Sequence, residues 1–562
     1  MLRKLLRLPF KTLPKKALAA DVRGELSEFF DAAFYLEKNP EVAHNGADPL
    51  AHYLAIGWRE GRDPAPWFST NFYLSANPDV DVAGANPFQH YVRHGRIEGR
   101  QPKGAPEHRR FLLAQSPPQY KRPSGDKWKG ELVGKPEICA RLIAAARRAE
   151  GIVLSFSHTS YTTATAGIEV FLHDEQKLFN ARGWLYLHFS PLEFMHFVAD
   201  EALEDSFLRM TLDGRIVGAA TAPAILEALA DSGCSRLPRR VLAMHCALGQ
   251  PASAFEALLK SFRPEASYYW AHDFSSVCAG VNLLRNGVEY CHAPPTDSTA
   301  CAVCVYGAAR SHNAALLKRM FELADFALVA PSATALDQWR RASPLPARAF
   351  HVQPHCDLDY SQGRRRPQLA ANKIGLAGRE VRVAFIGRPA TSKGAHIFLG
   401  LTEKTASDPA YDFFHFSNGR GGFGNPRVRP IHAQVSAERR DAMIELLKDH
   451  EIDIVLVPSL CPETFSYVAY EALAAGCDIA TLTASGNVAA LVKETGRGRV
   501  FANEAELIEF FTSRAALELV RRRAVEPNPC GSLTLRGTTA ALVFDRIALN
   551  MPPRARDLST SL

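Results

Sequence analysis

The chain has 562 residues, with 66 Lys and Arg against 59 Asp and Glu and a formal charge of +7. The surplus is local: Arg3, Lys4, Arg7, Lys11, Lys15 and Lys16 stand among the first 20 residues without one acid, and the remainder is almost neutral. That argues against a nucleic-acid-binding face over the whole chain, because counterion release needs many clustered cations. A 47% hydrophobic and 22% charged composition excludes wholesale disorder.

No apolar run reaches the ~18 residues that span a bilayer. No secretory h-region of about 7–15 apolar residues opens the chain. A cytoplasmic protein is expected, and its 11 cysteines are then thiols or metal ligands before they are disulfides. The length suits three or four domains of ~150 residues.

In chain order, residues 1–28 read as a basic tail in which Leu2, Leu5, Leu6, Leu8 and Phe10 alternate with cations. Pro9 and Pro14 limit any helix there. Such a tail is either solvated or holds the chain reversibly on the inner face of the cytoplasmic membrane, at about 1 kcal/mol per cation near an anionic surface. Residues 29–102 hold a duplicated unit: Tyr35 matches Tyr73, Asn39 matches Asn77, His52 matches His90 and Gly61 matches Gly99. Each copy reads as two short helices. Pro49 suits a first helical turn. Leu50, Tyr53 and Leu54 give a helical stripe, and Gly57 is expected as its C-terminal cap. His52 and His90 recur with the apolar frame and read as structural hydrogen-bonders. Residues 103–150 read as a Pro-, Gly- and Lys-rich linker followed by a helix over about 136–149.

From Gly151 the pattern alternates short apolar runs with helical stretches: GIVLSF, WLYLHFS, RRVLAMHCAL, ASYYWAHDF and FALVAPS, then VRVAFIGRP, YDFFHFS, DIVLVPS, CDIATLT and GRVFA. That is the mark of doubly wound α/β structure, here in two Rossmann-like halves over 151–370 and 371–545, joined through the polar stretch 361–380 and followed by a tail at 546–562. Ligands in such sheets sit at the carboxyl ends of the strands.

Candidate chemistry collects in the second half. After VRVAFI, Gly387 and Gly394 flank Arg388 and Lys393, two cations in a strand-to-helix loop that can clamp a diphosphate. Further on, Glu463, Thr464, Phe465 and Ser466 precede a helix that carries Glu471. The helix start offers N–H groups to an anion, and the carboxylates can accept from sugar hydroxyls. Each motif alone is weak, since loop cations are usually solvated and acids near a helix start are usually caps. In the first half, Gly167 and Glu169 follow the first strand, and His272 and Asp273 end another. A lone strand-end histidine is more often structural.

Together these segments resemble the retaining GT-B glycosyltransferases, notably family 4. Glu463 and Glu471 with TFSYVAY between them resemble the E-x7-E signature, and GRPATSKG resembles the donor loop. ADFALVAPS resembles the strand that ends the first domain. VQPHCDLD resembles the Pro-Asn-Gly-Val-Asp segment, with His355 and Cys356 in place of Asn-Gly. AAGCDIAT and Ser485–Asn487 resemble downstream donor-side segments. TAGIEVFLHDEQ resembles the Gly-Gly-x-Glu loop, with Ala166 in place of the first Gly. The resemblance spans about residues 151–545, and the duplicated unit resembles repeats appended to bacterial surface-polysaccharide glycosyltransferases.

It implies a GT-B fold: two Rossmann-like domains facing across a cleft, preceded here by a small α-helical repeat region. It implies transfer of a sugar from a nucleotide-sugar donor to a glycan or lipid-linked acceptor, with retention and without a catalytic metal. Arg388 and Lys393 would neutralise the leaving diphosphate. Glu463 would hold the donor sugar, Glu471 the ribose, and the N–H groups around Phe465 and Ser466 the phosphate. His272 would lie near the anomeric centre, with the leaving phosphate as base. A nucleotide-sugar epimerase and a non-catalytic binding protein are the competing classes.

Cys278, Cys291, Cys301 and Cys304, spaced C-x12-C-x9-C-x2-C, fit a structural tetrahedral zinc, against buried thiols or a disulfide. No nucleic-acid partner is expected.

Overall fold

The computed structural model describes residues 20–96, 98, 100, 102–103, 132–162, 167–287, 289–302, 304–361, 380–418, 422–435 and 439–550. Most of the expected basic tail, most of the linker, Ala166 and nearly all of the 361–380 join lie outside these residues. The chain divides into two compact units. One comprises residues 1–105 with 297–304, the other 106–296 with 305–562.

The first unit is helical. Helices Ala32–Lys38, Pro40–His44 and Pro49–His52 recur as Thr70–Ala76, Pro78–Val82 and Pro87–His90. Local chemistry starts them: Asp48 and Asn86 accept the backbone N–H of Ala51 and Gln89, and Pro49 and Pro87 occupy first turns where no N–H is needed. The Tyr35 hydroxyl meets His52 Nδ1 at 2.9 Å, and Tyr73 meets His90 Nδ1 at 3.0 Å. These bonds cross a core of Tyr35, Tyr53, Phe68, Tyr73, Phe88 and Tyr91.

Gly57 does not act as a left-handed cap. It lies inside a wide turn, Tyr53–Gly57, and a Cβ there would strike the Tyr35 hydroxyl, as one at Gly95 would strike Tyr73. The last residues of the expected tail also differ: Ala20–Ser27 is a helix, and Leu26 is buried in the same core.

The second unit holds the two α/β halves. The first half is an eight-stranded sheet in the order Ala349–Val352, Ala327–Ala330, Ala266–Trp270, Arg240–Met244, Gly151–Phe156, Trp184–Ser190, Phe207–Leu212, Arg215–Thr221. All pairings are parallel until the last two strands, which form an antiparallel edge hairpin. Asp213 and Gly214, with φ of 48° and 81°, turn that hairpin. The alternation of the sequence does not announce the hairpin, because its strands are half-buried beside fully buried neighbours.

The second half is a six-stranded parallel sheet in the order Val428–His432, Tyr411–Ser417, Val381–Ile386, Ile454–Val457, Asp478–Leu482, Gly498–Phe501. Strands such as Ile454–Val457 are covered on both faces, which accounts for their unbroken apolar runs.

Contacts from several elements tie the halves. Arg440 donates to Asp174 Oδ1 and to the Val170 carbonyl. The final helix, Thr539–Asn550, returns to the first half, where Ala540 and Val543 join Val153, Phe171, Phe179 and Trp184 in one core. Fully burying a side chain the size of Val or Phe contributes roughly 1.5–3 kcal/mol, the scale on which Val543 adds to the first half's packing. No helix among the described residues is long and apolar enough to cross a membrane.

Candidate active site

A cavity of about 300 Å³ opens at the carboxyl ends of the strands and is lined from both halves. Of the residues expected from sequence, Gly167, Glu169, His272, Lys393, Glu463, Thr464 and Phe465 line it. Gly387, Arg388, Ser466 and Glu471 are not among its lining residues.

The second-half wall is built from three loops pressed together. Gly394, with φ of 73°, opens the helix Ala395–Lys404, and a Cβ there would run into the Pro458 carbonyl. Gly486, with φ of 59°, is packed as tightly on the backbone of Pro462 and Glu463. The Asn487 N–H donates to the Glu463 carbonyl at 2.9 Å, and the Glu463 N–H donates to the Ser485 carbonyl at 3.3 Å. The Ser-Gly-Asn segment therefore fixes the Glu463 loop.

Into this frame Lys393 Nζ donates to both oxygens of Glu463, at 2.7 and 2.9 Å, and the Ser459 hydroxyl also donates to the carboxylate. Glu463 is nearly covered at 10% exposure, whereas Lys393 keeps 52% of its side chain in solvent. Arg388 is exposed at the strand end beside Gly387, whose φ is 94°.

Ser466 caps the helix Tyr467–Ala474 by accepting the Ala469 N–H. Thr464 donates to the His272 carbonyl, and its own carbonyl accepts from Ser332 at 2.8 Å, so this residue joins the two halves. The Phe465 ring stacks on Tyr470 and reaches His355 at 4.8 Å between centroids.

Glu471 is 8% exposed in the second turn of its helix and is not among the cavity's lining residues. Burial pushes its carboxyl up to about 7, with the Arg440 charge pulling the other way.

On the first-half wall, Gly167 is the first residue of the helix Gly167–Asn180 and not part of a preceding loop. Glu169 is buried and accepts from Thr159 Oγ1 at 2.9 Å. His272 stands just past the strand Ala266–Trp270, with its ring stacked on Trp270 at 5.1 Å and 6°. It is flanked by two further histidines. His245 Nδ1 faces His272 Nε2 at 3.0 Å, and His355 Nε2 faces His272 Nδ1 at 3.4 Å.

Sequence reasoning missed His245, His355 and Glu175, which accepts from His245. One signal was available: His245 follows a strand end, as His272 does, where a doubly wound sheet collects its site residues.

Cys278 and Cys291 belong to the α/β unit, whereas Cys301 and Cys304 belong to the helical unit. Among the described residues no group of three or more His, Cys, Asp or Glu could hold a metal ion.

No family model and no curated protein matches the chain. Solved structures do. Sucrose-phosphate synthase from Thermosynechococcus elongatus is 14% identical over 71% of this chain and 98% of its own, with a TM-score of 0.43. Anabaena Alr3699/HepE in complex with UDP-glucose is 14% identical over 66% of this chain and 91% of its own, at 0.38. WaaG, a glycosyltransferase involved in lipopolysaccharide biosynthesis, is 13% identical over 66% of this chain and 95% of its own, at 0.37. The two facing Rossmann-like domains of this chain make the GT-B layout.

Proposed function

We propose that the chain transfers a sugar, with retention, from a nucleotide-sugar donor to a glycan or lipid-linked acceptor in surface polysaccharide synthesis. The observation that carries this reading is the Lys393–Glu463 pair at the cavity wall. A half-exposed ammonium held by a nearly buried carboxylate is a charge stored for exchange. When a donor binds, Lys393 turns to the diphosphate and Glu463 is released to the sugar hydroxyls. Arg388 adds a second cation, and the N–H groups at Phe465 and Ser466 face the phosphate. Positioned cations of this kind stabilise the departing diphosphate without a metal. Glu471 takes the ribose hydroxyls, whose hydrogen bonds to the ionised carboxylate oppose the upward push of its burial.

A thermal-shift screen of nucleotide sugars tests the reading, because a specific donor raises the melting temperature by mass action. An assay without acceptor separates transfer from epimerisation: conversion of free donor there replaces the transferase reading. The basic tail, which lies outside the described residues except at its end, is proposed to bind anionic membrane. Unchanged vesicle binding after deletion of residues 1–20 removes that role. The four-cysteine zinc is a separate proposal, decided by metal analysis of protein purified without added zinc.

A further inference from the structure

Glu175, His245, His272 and His355 form an unbroken row. His245 Nε2 lies 3.1 Å from Glu175 Oε1, His245 Nδ1 lies 3.0 Å from His272 Nε2, and His272 Nδ1 lies 3.4 Å from His355 Nε2. One end is anchored: Glu175 also accepts from the Tyr186 hydroxyl at 2.9 Å and from the Thr539 N–H at 2.8 Å. The other end is open. His355 Nδ1 is buried, meets no hydrogen-bond partner among the described residues, and belongs to a ring that lines the cavity with Lys393 and Glu463. Buried polar atoms are nearly always paired, so an unpaired one on the wall of a polar cavity marks the place of a ligand atom.

The row can hold its protons in two arrangements. An ionised carboxylate only accepts, so His245 carries a proton on Nε2. With one proton per ring, every ring is then protonated on Nε2 and His355 Nδ1 is a bare lone pair. One further proton entering at His355 Nδ1 displaces each Nε2 proton to the next ring. The row ends with both nitrogens of His245 protonated beside Glu175. Burial disfavours charge on the two outer rings, pushing His272 well down and His355 to about 3. Burial would raise Glu175, but His245 and the Thr539 donors outweigh it and hold the carboxyl below its usual range. Within the row, only His245 places a ring nitrogen against the Glu175 carboxylate, so an added positive charge is paired there. Other titratable groups against the row are Tyr186, His188 and His158, and Tyr467, whose ring stacks on His355 at 5.8 Å between centroids.

We propose that Glu175, His245, His272 and His355 form a one-proton relay that accepts the hydroxyl proton of the sugar acceptor at His355 and stores it on His245. This rests on the transferase reading of the cavity. The acceptor O–H bond breaks as its oxygen bonds the anomeric carbon. The bond from that carbon to phosphate breaks, and its electron pair leaves with the nucleoside diphosphate. The proton moves along the row, and it returns to water once the cavity empties. The relay differs from the expectation that the leaving phosphate takes this proton.

Two measurements on the full chain decide it. In 15N-histidine spectra without ligand, all three rings are expected to carry Nε2–H at high pH. On acidification one event should doubly protonate His245 and invert His272 and His355 together to Nδ1–H. Separate titration of the rings, or no inversion, overturns the relay. In turnover, His355→Asn keeps a polar side chain at the wall but cannot pass a proton. Its kcat should fall about 10²-fold with KM for the donor within about twofold; an unchanged kcat overturns the proposal. If no nucleotide sugar stabilises the protein, the transferase reading falls and the acceptor proton falls with it, while the ligand-free spectra still judge the row of rings on their own.

Discussion

The two walls of the cleft are built on opposite principles. The first-half wall is nearly complete before any ligand arrives: Glu175 has its donors and the histidines have each other, with His355 Nδ1 left without a partner among the described residues. The second-half wall is satisfied only by itself, through a Lys393–Glu463 pair that faces solvent on one side. A buried hydrogen-bonded row keeps its geometry and changes only where its protons sit, whereas a half-exposed ammonium can exchange its partner at little cost. The contrast separates the half that positions from the half that responds.

Breaking the responsive wall should have the largest effect. Lys393→Ala or Glu463→Ala is expected to lower kcat/KM for transfer by about 10³-fold, the scale of removing a charge stabiliser from an active site. The melting temperature of Lys393→Ala should stay near wild type, since its side chain is half exposed. Full activity in either variant rejects the assignment.

Breaking the first-half wall should act first on stability. Thr539→Val removes the hydroxyl that accepts from the Trp270 indole at 2.8 Å and leaves a buried donor unpaired, a loss of about 1–2 kcal/mol. Thr539→Pro is tolerated at a helix start but also removes the N–H that Glu175 needs, and should cost about 1–3 kcal/mol more. Denaturant midpoints of the two variants give the difference. Equal midpoints would mean that Glu175 does not depend on the final helix.

Glu471 lies between the two cases, and pH sharpens it. Its folded carboxyl is raised to about 7, so the stability it contributes is present below its unfolded range and is lost as pH rises through 7. Glu471→Gln should match wild type near pH 5 and exceed it by about 1–3 kcal/mol near pH 8. The smallest effect is expected in calorimetry. Donor hydroxyls that pair with the carboxylate lower its pKa, so binding near pH 7 should release a fraction of a proton, and Glu471→Gln should abolish that release.

The layout was legible where local pattern decides it. Apolar runs such as GIVLSF and DIVLVPS are strands because both faces are covered, and Gly394 and Gly486 stand where only glycine fits between loops. Pairings between distant segments were not legible. The ribbon of Cys356–Asp359 with Ser532–Leu535 joins strands that carry no alternation of their own. The Arg440–Asp174 bridge and the buried state of Glu471 arise only when the halves meet. The histidine row draws on two strand ends, a helix and a loop, so no spacing rule announces it. His355 stands where the family pattern has Asn, and that departure was its one visible trace.

The final helix gives the molecule a timetable. Glu175 accepts the N–H of Thr539, 364 residues further along the chain. The first half leaves the ribosome early, with its sheet strands close in sequence and able to pair while synthesis continues. Its innermost carboxylate nevertheless lacks its Thr539 donors until the helix Thr539–Asn550 emerges and docks beside Trp270. The part of the α/β unit made first is thus completed only by a segment made 364 residues later.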